Sequence, residues 1–216
     1  MKMIDYGLKE ELLEKIDDNK MIARITATHR DRYEIVCDHG QAFAQIKRGS
    51  YYDNPNSIYP TTGDFVLIEW NDSGYSMIYE TLKRKSYFSR TASSSDRNRE
   101  LHNQHEQLVA ANFDYVFIMQ SLNQNFNINR IERYLSLAWE SGGLPVIILT
   151  KSDLVSNVEA FINEVQSVAI GVDVYAISCV TKEGIEDIQK YFSKGKTIVF
   201  LGSSGVGKST LVNTLY

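Results

Sequence analysis

The sequence predicts a small all-β barrel followed by an α/β domain with a parallel sheet, and three observations carry this prediction. Residues 21–82 hold five short runs rich in Ile, Val, Tyr, Phe and Thr, with turn residues between them. From residue 108 onward, strand-like and helix-like segments alternate at the spacing of crossover connections. The last strand-like segment runs into a glycine-rich loop and then into a helix, an arrangement found in α/β folds.

The first domain, placed at residues 1–83, begins with a short amphipathic helix and continues as a barrel. Leu8, Leu12 and Ile16 are spaced four apart, which predicts the helix. Five short strands in about 60 residues fit an OB-type barrel, and an SH3-like barrel fits the same pattern. The predicted strands are Met21–Thr28, Tyr33–Cys37, Ala42–Lys47, Asp64–Trp70 and Tyr75–Leu82.

Residues 84–106 form a basic, flexible linker in this prediction. The stretch contains a serine run at 93–95, the aromatic residues Tyr87 and Phe88, and many basic side chains with Asp96 as the single acid before residue 100. One interpretation is a solvated connection between domains. The other is an RNA-binding segment, in which basic side chains meet the backbone and aromatic rings meet the bases.

The α/β domain is placed at residues 107–216. Short, unbroken apolar runs predict buried parallel strands, and apolar residues at helical spacing predict the helices between them. The predicted strands are Tyr115–Met119, Val146–Leu149, Val172–Ile177 and Thr197–Leu201. The helices are marked by Ile131 to Ala138, Val158 to Val165, Ile185 to Phe192 and Ser209 to Leu215.

The overall composition limits the classes of function. The 216 residues are 43% hydrophobic, which is enough for a core, and the net charge of −4 excludes a generally polycationic nucleic-acid binder. No run approaches the roughly 18–20 apolar residues that span a bilayer, and no signal peptide is recognisable, so we expect a cytoplasmic protein with no membrane partner. We also expect a monomer. The cysteines and histidines show no zinc spacing and no disulfide framework: Cys37, Cys179, His29, His39, His102 and His105.

The glycine-rich loop matches the phosphate-binding pattern G-x-x-x-x-G-K-[ST] at every fixed position. It reads Gly202, Ser203, Ser204, Gly205, Val206, Gly207, Lys208 and Ser209, followed by Thr210. Glycines let the backbone N–H groups approach a phosphate, and the helix N-terminus adds partial positive charge there. Lys208 is the predicted ligand of the β and γ phosphates, and the Ser209 hydroxyl is the predicted Mg²⁺ ligand, which makes these two the catalytic candidates.

A second motif predicts which base is bound. Thr150, Lys151, Ser152 and Asp153 follow a buried strand, where α/β sheets bind ligands. The Asp153 carboxylate can accept hydrogen bonds from N1–H and N2–H₂ of guanine, whereas adenine lacks both donors in that arrangement. Lys151 can lie across the base and brace the phosphate loop.

The next strand ends in Ser178 and Cys179, and its end should lie beside the first. The backbone N–H of Cys179 is then a candidate donor to guanine O6, where adenine carries an amino group. A small buried thiol is the structural alternative for Cys179, and it is compatible with that backbone role. Together, the motifs predict a site for GTP or GDP with Mg²⁺.

The order of the motifs is reversed relative to an ordinary small GTPase, because Thr150–Asp153 precedes Gly202–Ser209. This order indicates a circularly permuted P-loop GTPase domain. On these motifs, and on the segments below, the chain resembles the RsgA (YjeQ) family of circularly permuted GTPases over essentially its whole length. The further segments are residues 62–66 (TGDFV), 84–90 (RKSYFSR) and 108–116 (LVAANFDYV).

The resemblance implies a cytoplasmic bacterial GTPase that acts in maturation of the small ribosomal subunit. It implies that the OB domain contacts ribosomal RNA and that the small subunit stimulates GTP hydrolysis. The family's guanine motif often begins with Asn, and Thr150 stands there in this chain. Since Thr150 can still orient the loop through its hydroxyl, we expect guanine binding to be retained with altered affinity.

The chain ends at Tyr216, a few residues into the helix after the phosphate loop. The switch segments, with the Asp-x-x-Gly loop that senses the γ phosphate, and the family's C-terminal Cys/His zinc module do not occur in it. We therefore expect a fragment with an incomplete G domain that binds nucleotide weakly and hydrolyses it poorly. Zinc is expected only in the part beyond Tyr216, and the edge of strand Thr197–Leu201 is expected to be unpaired.

Two alternative functions stay open at this point. One is an ATP-dependent kinase or ATPase that uses the same phosphate loop, against which the Asp153 and Ser178 context argues. The other is an RNA-binding module with an inactive G-domain fragment, whose RNA binding would fall when Arg84 and Arg90 are neutralised.

Overall fold

The computed structural model describes residues 2–9, 12, 19–52, 57–90 and 107–215 of the chain. They fall into two compact units, Met1–Phe113 and Asp114–Tyr216. Ile16 of the predicted N-terminal helix and most of the predicted linker, residues 91–106, lie outside the described residues. No helix among the described residues is long and apolar enough to cross a bilayer.

The first unit contains a closed five-stranded barrel of the OB type, which confirms the predicted fold. Its strands follow one another around the barrel in the order β1-β2-β3-β5-β4, and β4 pairs with β1 to close it. All pairs are antiparallel except β3 with β5. The strands are β1 Met21–Thr28, β2 Tyr33–Cys37, β3 Gly40–Ile46, β4 Phe65–Glu69 and β5 Ser76–Thr81, with the short helix α1 Arg48–Tyr52 after β3.

The barrel core forms because alternate strand residues are apolar and point to one side. Ile25 of β1 lies opposite Ile35 of β2, and both are buried with Ile68 and Ile78 from the other strands. At the N-terminus, Met3–Tyr6 is a 3₁₀ helix, and Met3 packs with Leu8 and partly buried Leu12 on a smaller cluster. Most of the helix predicted from Leu8, Leu12 and Ile16 lies outside the described residues, so it stays a prediction.

A two-stranded antiparallel ribbon also belongs to the first unit. It consists of β6 Tyr87–Arg90, which lies in the predicted linker, and β7 Gln107–Ala111, which lies at the start of the predicted α/β domain. The ribbon is attached to the barrel by backbone and side-chain hydrogen bonds, among them Ala111 N–H to the Thr62 carbonyl (2.9 Å). The sequence predicts that the α/β domain begins at residue 107. That boundary stays a prediction.

A buried polar cluster holds ribbon and barrel together. Arg84 donates to both carboxylate oxygens of Asp64, at 2.7 Å from Nε and 2.6 Å from Nη2. Asn112 donates to the Gly63 carbonyl (3.2 Å) and to Asp64 (3.3 Å), while Arg24 donates to the carbonyls of Gly63 and Asn112. Burial raises the pKa of the Asp64 carboxyl, and the hydrogen bonds and charge of Arg84 oppose that shift. The guanidinium groups compensate a carboxylate that has no exposed surface.

The second unit is a parallel α/β sheet, as predicted, with strand order β10-β9-β8-β11. Every pair in it is parallel. Among the described residues β11 pairs on one side only, with β8. The strands are β8 Tyr115–Ser121, β9 Leu144–Thr150, β10 Asp173–Ile177 and β11 Ile198–Leu201, and the helices are α2 Ile128–Ser141, α3 Val158–Val168 and α4 Lys208–Leu215.

The helices of this unit begin and end where the sequence changes. Asn127 caps α2 by accepting from the Arg130 N–H (3.1 Å), and Gly142 ends it in the left-handed conformation with φ 82°. The segment marked by Ile185 to Phe192 is a 3₁₀ helix, Glu186–Tyr191, and not the α-helix predicted. Ile188 is nevertheless buried there, so the apolar spacing was correct and the helix type was wrong.

Candidate functional site

The predicted site residues lie at one edge of the parallel sheet. Because β8, β9, β10 and β11 run in the same direction, their carboxyl ends meet at that edge. The phosphate loop follows β11, the Thr150–Asp153 segment begins at the end of β9, and Ser178 follows β10. The fold therefore brings three segments distant in sequence to one place.

Three glycines shape the phosphate loop. A Cβ on Gly202 would lie 2.7 Å from the Met119 carbonyl oxygen, so only glycine fits against β8. Gly205 and Gly207 have φ angles of 74° and 103°, in the region that favours glycine. Between them Val206 is buried and packs with Leu211 of α4 in the core, which fixes the loop to the sheet.

Lys208 folds back over the first half of the loop. Its Nζ donates to the carbonyls of Gly202 (2.7 Å) and Ser203 (2.8 Å). Ser209 and Thr210 are exposed on the first turn of α4. The Lys208 ammonium and the Ser209 and Thr210 hydroxyls thus lie at the start of α4. The first backbone N–H groups of a helix have no partner within the helix, so they are also available to an anion there.

Thr150 and Lys151 hold the second half of the loop. The buried Thr150 hydroxyl donates to the Val206 carbonyl (2.6 Å), and Lys151 Nζ donates to the Gly205 carbonyl (3.0 Å). Lys151 itself has a positive φ of 62°, which is uncommon outside glycine and turns its side chain toward the loop. These contacts are the brace expected of this motif.

Asp153 and Ser178 lie at the end of the site where the sequence predicts base recognition. The Ser178 hydroxyl donates to Asp153 Oδ1 (2.6 Å) and accepts from the N–H groups of Val180 (3.2 Å) and Thr181 (3.1 Å). Ser178 is fully buried, whereas Asp153 is exposed. A fixed serine therefore orients a carboxylate that stays accessible to a ligand.

Two further predicted residues complete this end. Cys179 is half-buried and packs against the core of the α/β unit, so its thiol has a structural role. Cys179 directly follows Ser178 in the chain and precedes Val180 and Thr181, whose N–H groups donate to the Ser178 hydroxyl. Ser152 is buried within a 3₁₀ turn, Ser152–Leu154.

Sequence reasoning missed Arg130 of α2. Its Nη1 donates to the Ser203 hydroxyl of the phosphate loop (3.4 Å). Arg130 was missed because none of the recognised motifs lies in α2, the helix that follows β8. Asn127 caps this helix, and Arg130 therefore lies on its first turn, at the edge of the sheet that carries the site. A basic residue three positions after a helix N-cap at this edge was the available signal.

The basic stretch does not offer Arg84 to RNA as expected. The Arg84 side chain is only 8% exposed and is paired with Asp64. Phe88 stacks on Phe113 at a centroid distance of 4.9 Å, while Tyr87 is 48% exposed. The expectation failed for Arg84 because its buried partner, Asp64, is 20 residues away in the sequence. The Arg90 side chain lies outside the described part of the chain.

The barrel also carries an exposed aromatic surface, formed by residues of β3 and of the β4–β5 loop. Phe43 of β3 and Tyr75 of the β4–β5 loop are each 40% exposed, and their rings meet edge to face at 6.3 Å. Arg32, in the β1–β2 loop, lies 4.5 Å from the centre of the Phe43 ring, and its hydrogen bond to Tyr75 raises the pKa of its guanidinium. Trp70 and Asn71 line the groove beside them. The same loops and strand bind oligonucleotides in other OB folds.

Comparison with known proteins identifies the family. The RsgA GTPase family model matches residues 81–216. The small ribosomal subunit biogenesis GTPase RsgA 2 of Listeria monocytogenes serotype 4b is 40% identical over 100% of this chain and 59% of its own length. RsgA 1 of Listeria innocua serovar 6a is 42% identical over 94% of this chain and 55% of its own. The chain thus spans less than two thirds of these curated relatives.

Two solved structures share the fold. The crystal structure of YjeQ from Thermotoga maritima superposes with a TM-score of 0.72 at 23% identity, covering 91% of this chain and 65% of that one. YloQ, described as a circularly permuted GTPase, gives a TM-score of 0.66 at 25% identity, covering 91% and 64%. The motif order agrees with that description, and the predicted family resemblance is confirmed: the chain belongs to the RsgA family of circularly permuted GTPases.

Proposed function

We propose that this chain is the guanine-nucleotide-binding part of a cytoplasmic GTPase that acts, as a monomer, in maturation of the small ribosomal subunit. The observation that carries the proposal is the joining of the two motifs: Thr150 and Lys151 donate to carbonyls of the phosphate loop, and Asp153 stands accessible beside them. The relatives' names, as small ribosomal subunit biogenesis GTPases, support the biological setting.

Guanine is selected by groups that adenine would leave unpaired. The Asp153 carboxylate, oriented by Ser178, accepts from N1–H and N2–H₂ of the base. The Cys179 N–H donates to O6. Because a polar group left without a partner loses its hydration without compensation, the cost of admitting adenine is about 1–3 kcal/mol for each lost hydrogen bond.

The phosphates are held by the loop, by Lys208 and by the start of α4. The glycines Gly202, Gly205 and Gly207 give the backbone the close approach that a phosphate requires. No group of three or more His, Cys, Asp or Glu among the described residues could hold a metal ion. The exposed Ser209 hydroxyl, on the first turn of α4, is the proposed side-chain ligand of Mg²⁺, with phosphate and water oxygens as the others. Bound Mg²⁺ neutralises charge on the phosphates.

We further propose that ribosomal RNA binds the aromatic face of the barrel rather than the basic stretch. Exposed rings such as Phe43 and Tyr75 stack on unpaired bases, and Arg32 adds a cation at the same place. In Phe43→Ala and Tyr75→Ala variants, binding to a small-subunit rRNA fragment should weaken about tenfold each, in line with about 1–3 kcal/mol per stacked base. Tyr87→Ala is the matched aromatic control on the ribbon; if it alone weakens binding, the ribbon is the RNA surface.

Two other functions remain as competitors. An ATP-dependent kinase or ATPase would use the same phosphate loop, but the Asp153–Ser178 hydrogen bond presents an acceptor where adenine has no matching donors. An RNA-binding module without nucleotide control would bind rRNA equally with and without GTP. Nucleotide competition separates the first from our proposal, and rRNA binding measured with and without nucleotide separates the second.

The test of the proposed function is competition for a fluorescent GDP analogue with Mg²⁺ present. Unlabelled GTP should displace the probe and ATP should not, and Lys208→Ala should weaken binding by tenfold or more, as expected for loss of a charged phosphate contact. Lys194→Ala, at an exposed lysine away from the loop, is the control for a general loss of charge. Equal displacement by ATP would support the kinase or ATPase function and refute the guanine site.

A further inference from the structure

Arg130 is the one arginine that the described structure places against the phosphate loop. It lies on the first turn of α2, is half-buried, and donates from Nη1 to the Ser203 hydroxyl at 3.4 Å. This distance is near the upper limit for a hydrogen bond, and the acceptor is neutral, so the contact holds the side chain weakly.

The position of Arg130 along the loop is defined by its neighbours. Lys208 donates to the carbonyls of Gly202 and Ser203, so two cations meet at Ser203. The lysine of this motif reaches the β and γ phosphates. Thr150 and Lys151 hold the other half of the loop, toward the base-recognition residues. Arg130 is therefore at the end where a third phosphate would lie.

The charge of Arg130 is available for a ligand. No salt bridge to a carboxylate involves it among the residues that the structure describes. A guanidinium carries five N–H donors in a planar fork that matches phosphate oxygens. A nucleoside triphosphate brings more negative charge to this end of the loop than a diphosphate does, so it gains more from this cation.

We propose that Arg130 contacts the terminal phosphate of a bound nucleoside triphosphate and biases the site toward GTP over GDP. The proposal rests on the proposed guanine-nucleotide function. Rotation about the arginine side-chain torsions carries the guanidinium from Ser203 to the phosphate oxygens. Arg130, on α2, then distinguishes a nucleoside triphosphate from a diphosphate by contact with the third phosphate.

The test measures dissociation constants for GDP and for a non-hydrolysable GTP analogue in the wild-type chain and three variants. Arg130→Gln should weaken the triphosphate analogue about tenfold and GDP by less than about twofold, as expected for one lost charge-assisted hydrogen bond. Arg130→Lys should keep part of the preference because it keeps the charge. Arg133→Gln, at an exposed arginine on the same helix, should change neither constant.

Equal weakening of GDP and the triphosphate analogue in Arg130→Gln would overturn the proposal, because it would assign Arg130 only to support of the loop. No weakening of either nucleotide in Arg130→Gln would overturn it as well, and GDP binding by the wild-type chain would then leave the guanine site intact. Failure of the wild-type chain to bind either guanine nucleotide would overturn both the proposed function and this inference.

Discussion

Thr150 joins the proposed guanine-recognition segment, Thr150–Asp153, to the phosphate loop through one buried hydrogen bond, to the Val206 carbonyl at 2.6 Å. In Thr150→Val the methyl groups fill the same space but the carbonyl loses its donor, which costs about 1–3 kcal/mol. We expect GDP affinity to fall about tenfold, measured by titration of a fluorescent analogue. Thr150→Ser keeps the hydroxyl and should bind nearly as the wild type; an equal loss in both variants would contradict this role.

Ser178 orients Asp153, so its loss should reduce selectivity for the base more than affinity for phosphate. Ser178→Ala removes the donor at 2.6 Å from Asp153 Oδ1 and leaves Val180 and Thr181 without their acceptor. The ratio of ATP to GTP dissociation constants should fall about fivefold to tenfold, in line with one lost hydrogen bond to a charged group. Ser156→Ala, at an exposed serine nearby, is the control. An unchanged ratio in Ser178→Ala would remove the serine from base recognition.

A site residue could be predicted where it belongs to a short sequence motif, and it could not where its role depends on a partner distant in sequence. Thr150, Lys151 and Lys208 belong to motifs whose contacts follow from a strand end and a loop, and the structure brings them together. Arg84 was misjudged because its partner, Asp64, is distant in sequence. Arg130 was missed because its partner, Ser203, is distant as well. A pattern of residue types reveals charge, but it does not reveal which charge is buried or paired.

Among the elements, the turn before β4 depends on Gly63. Its φ is 93°, and a Cβ there would lie 2.1 Å from the Ala111 carbonyl oxygen, a backbone atom that cannot move aside cheaply. Gly63→Ala should therefore lower the free energy of unfolding by about 3 kcal/mol or more. At Gly40, where φ is 117°, a Cβ has no neighbour within 4 Å, so Gly40→Ala should cost only the backbone strain of about 1–2 kcal/mol. Denaturant unfolding followed by Trp70 fluorescence, in a chain that also carries Trp139→Phe, compares the two variants. Similar losses would contradict the close approach of Ala111.

The barrel strands were predictable and the ribbon was not, for a physical reason. Strands β1 and β2 combine β-branched residues with turns of a few residues, so local pattern defines both ends. Strands β6 and β7 are short and pair across a long stretch, and β6 lies among basic residues. The 3₁₀ helix Glu186–Tyr191 was taken for an α-helix because both place apolar residues three or four apart.

For the whole molecule, the unit Met1–Phe113 should be the smallest piece that keeps the barrel folded. A chain of residues 1–83 lacks Arg84 and Asn112, so the buried Asp64 carboxylate keeps the Thr61 N–H but loses its ion-pair partner, at a cost of about 3–5 kcal/mol. This loss is comparable to the total stability of a small domain. Thermal unfolding by circular dichroism should show a cooperative transition for residues 1–113 and none for residues 1–83; cooperative unfolding of both would contradict the structural role of the ribbon.

The central claim is that Asp153 reads guanine, and one exchange of base tests it most directly. In Asp153→Asn, the amide can no longer accept from the N2 amino group of guanine, but its Nδ2 can donate to the O2 carbonyl of xanthine. We expect GDP affinity to fall about a hundredfold and xanthosine diphosphate affinity to rise above it, as expected for exchange of two hydrogen bonds. If Asp153→Asn binds GDP as the wild type does, Asp153 does not read the base and the site has been assigned wrongly.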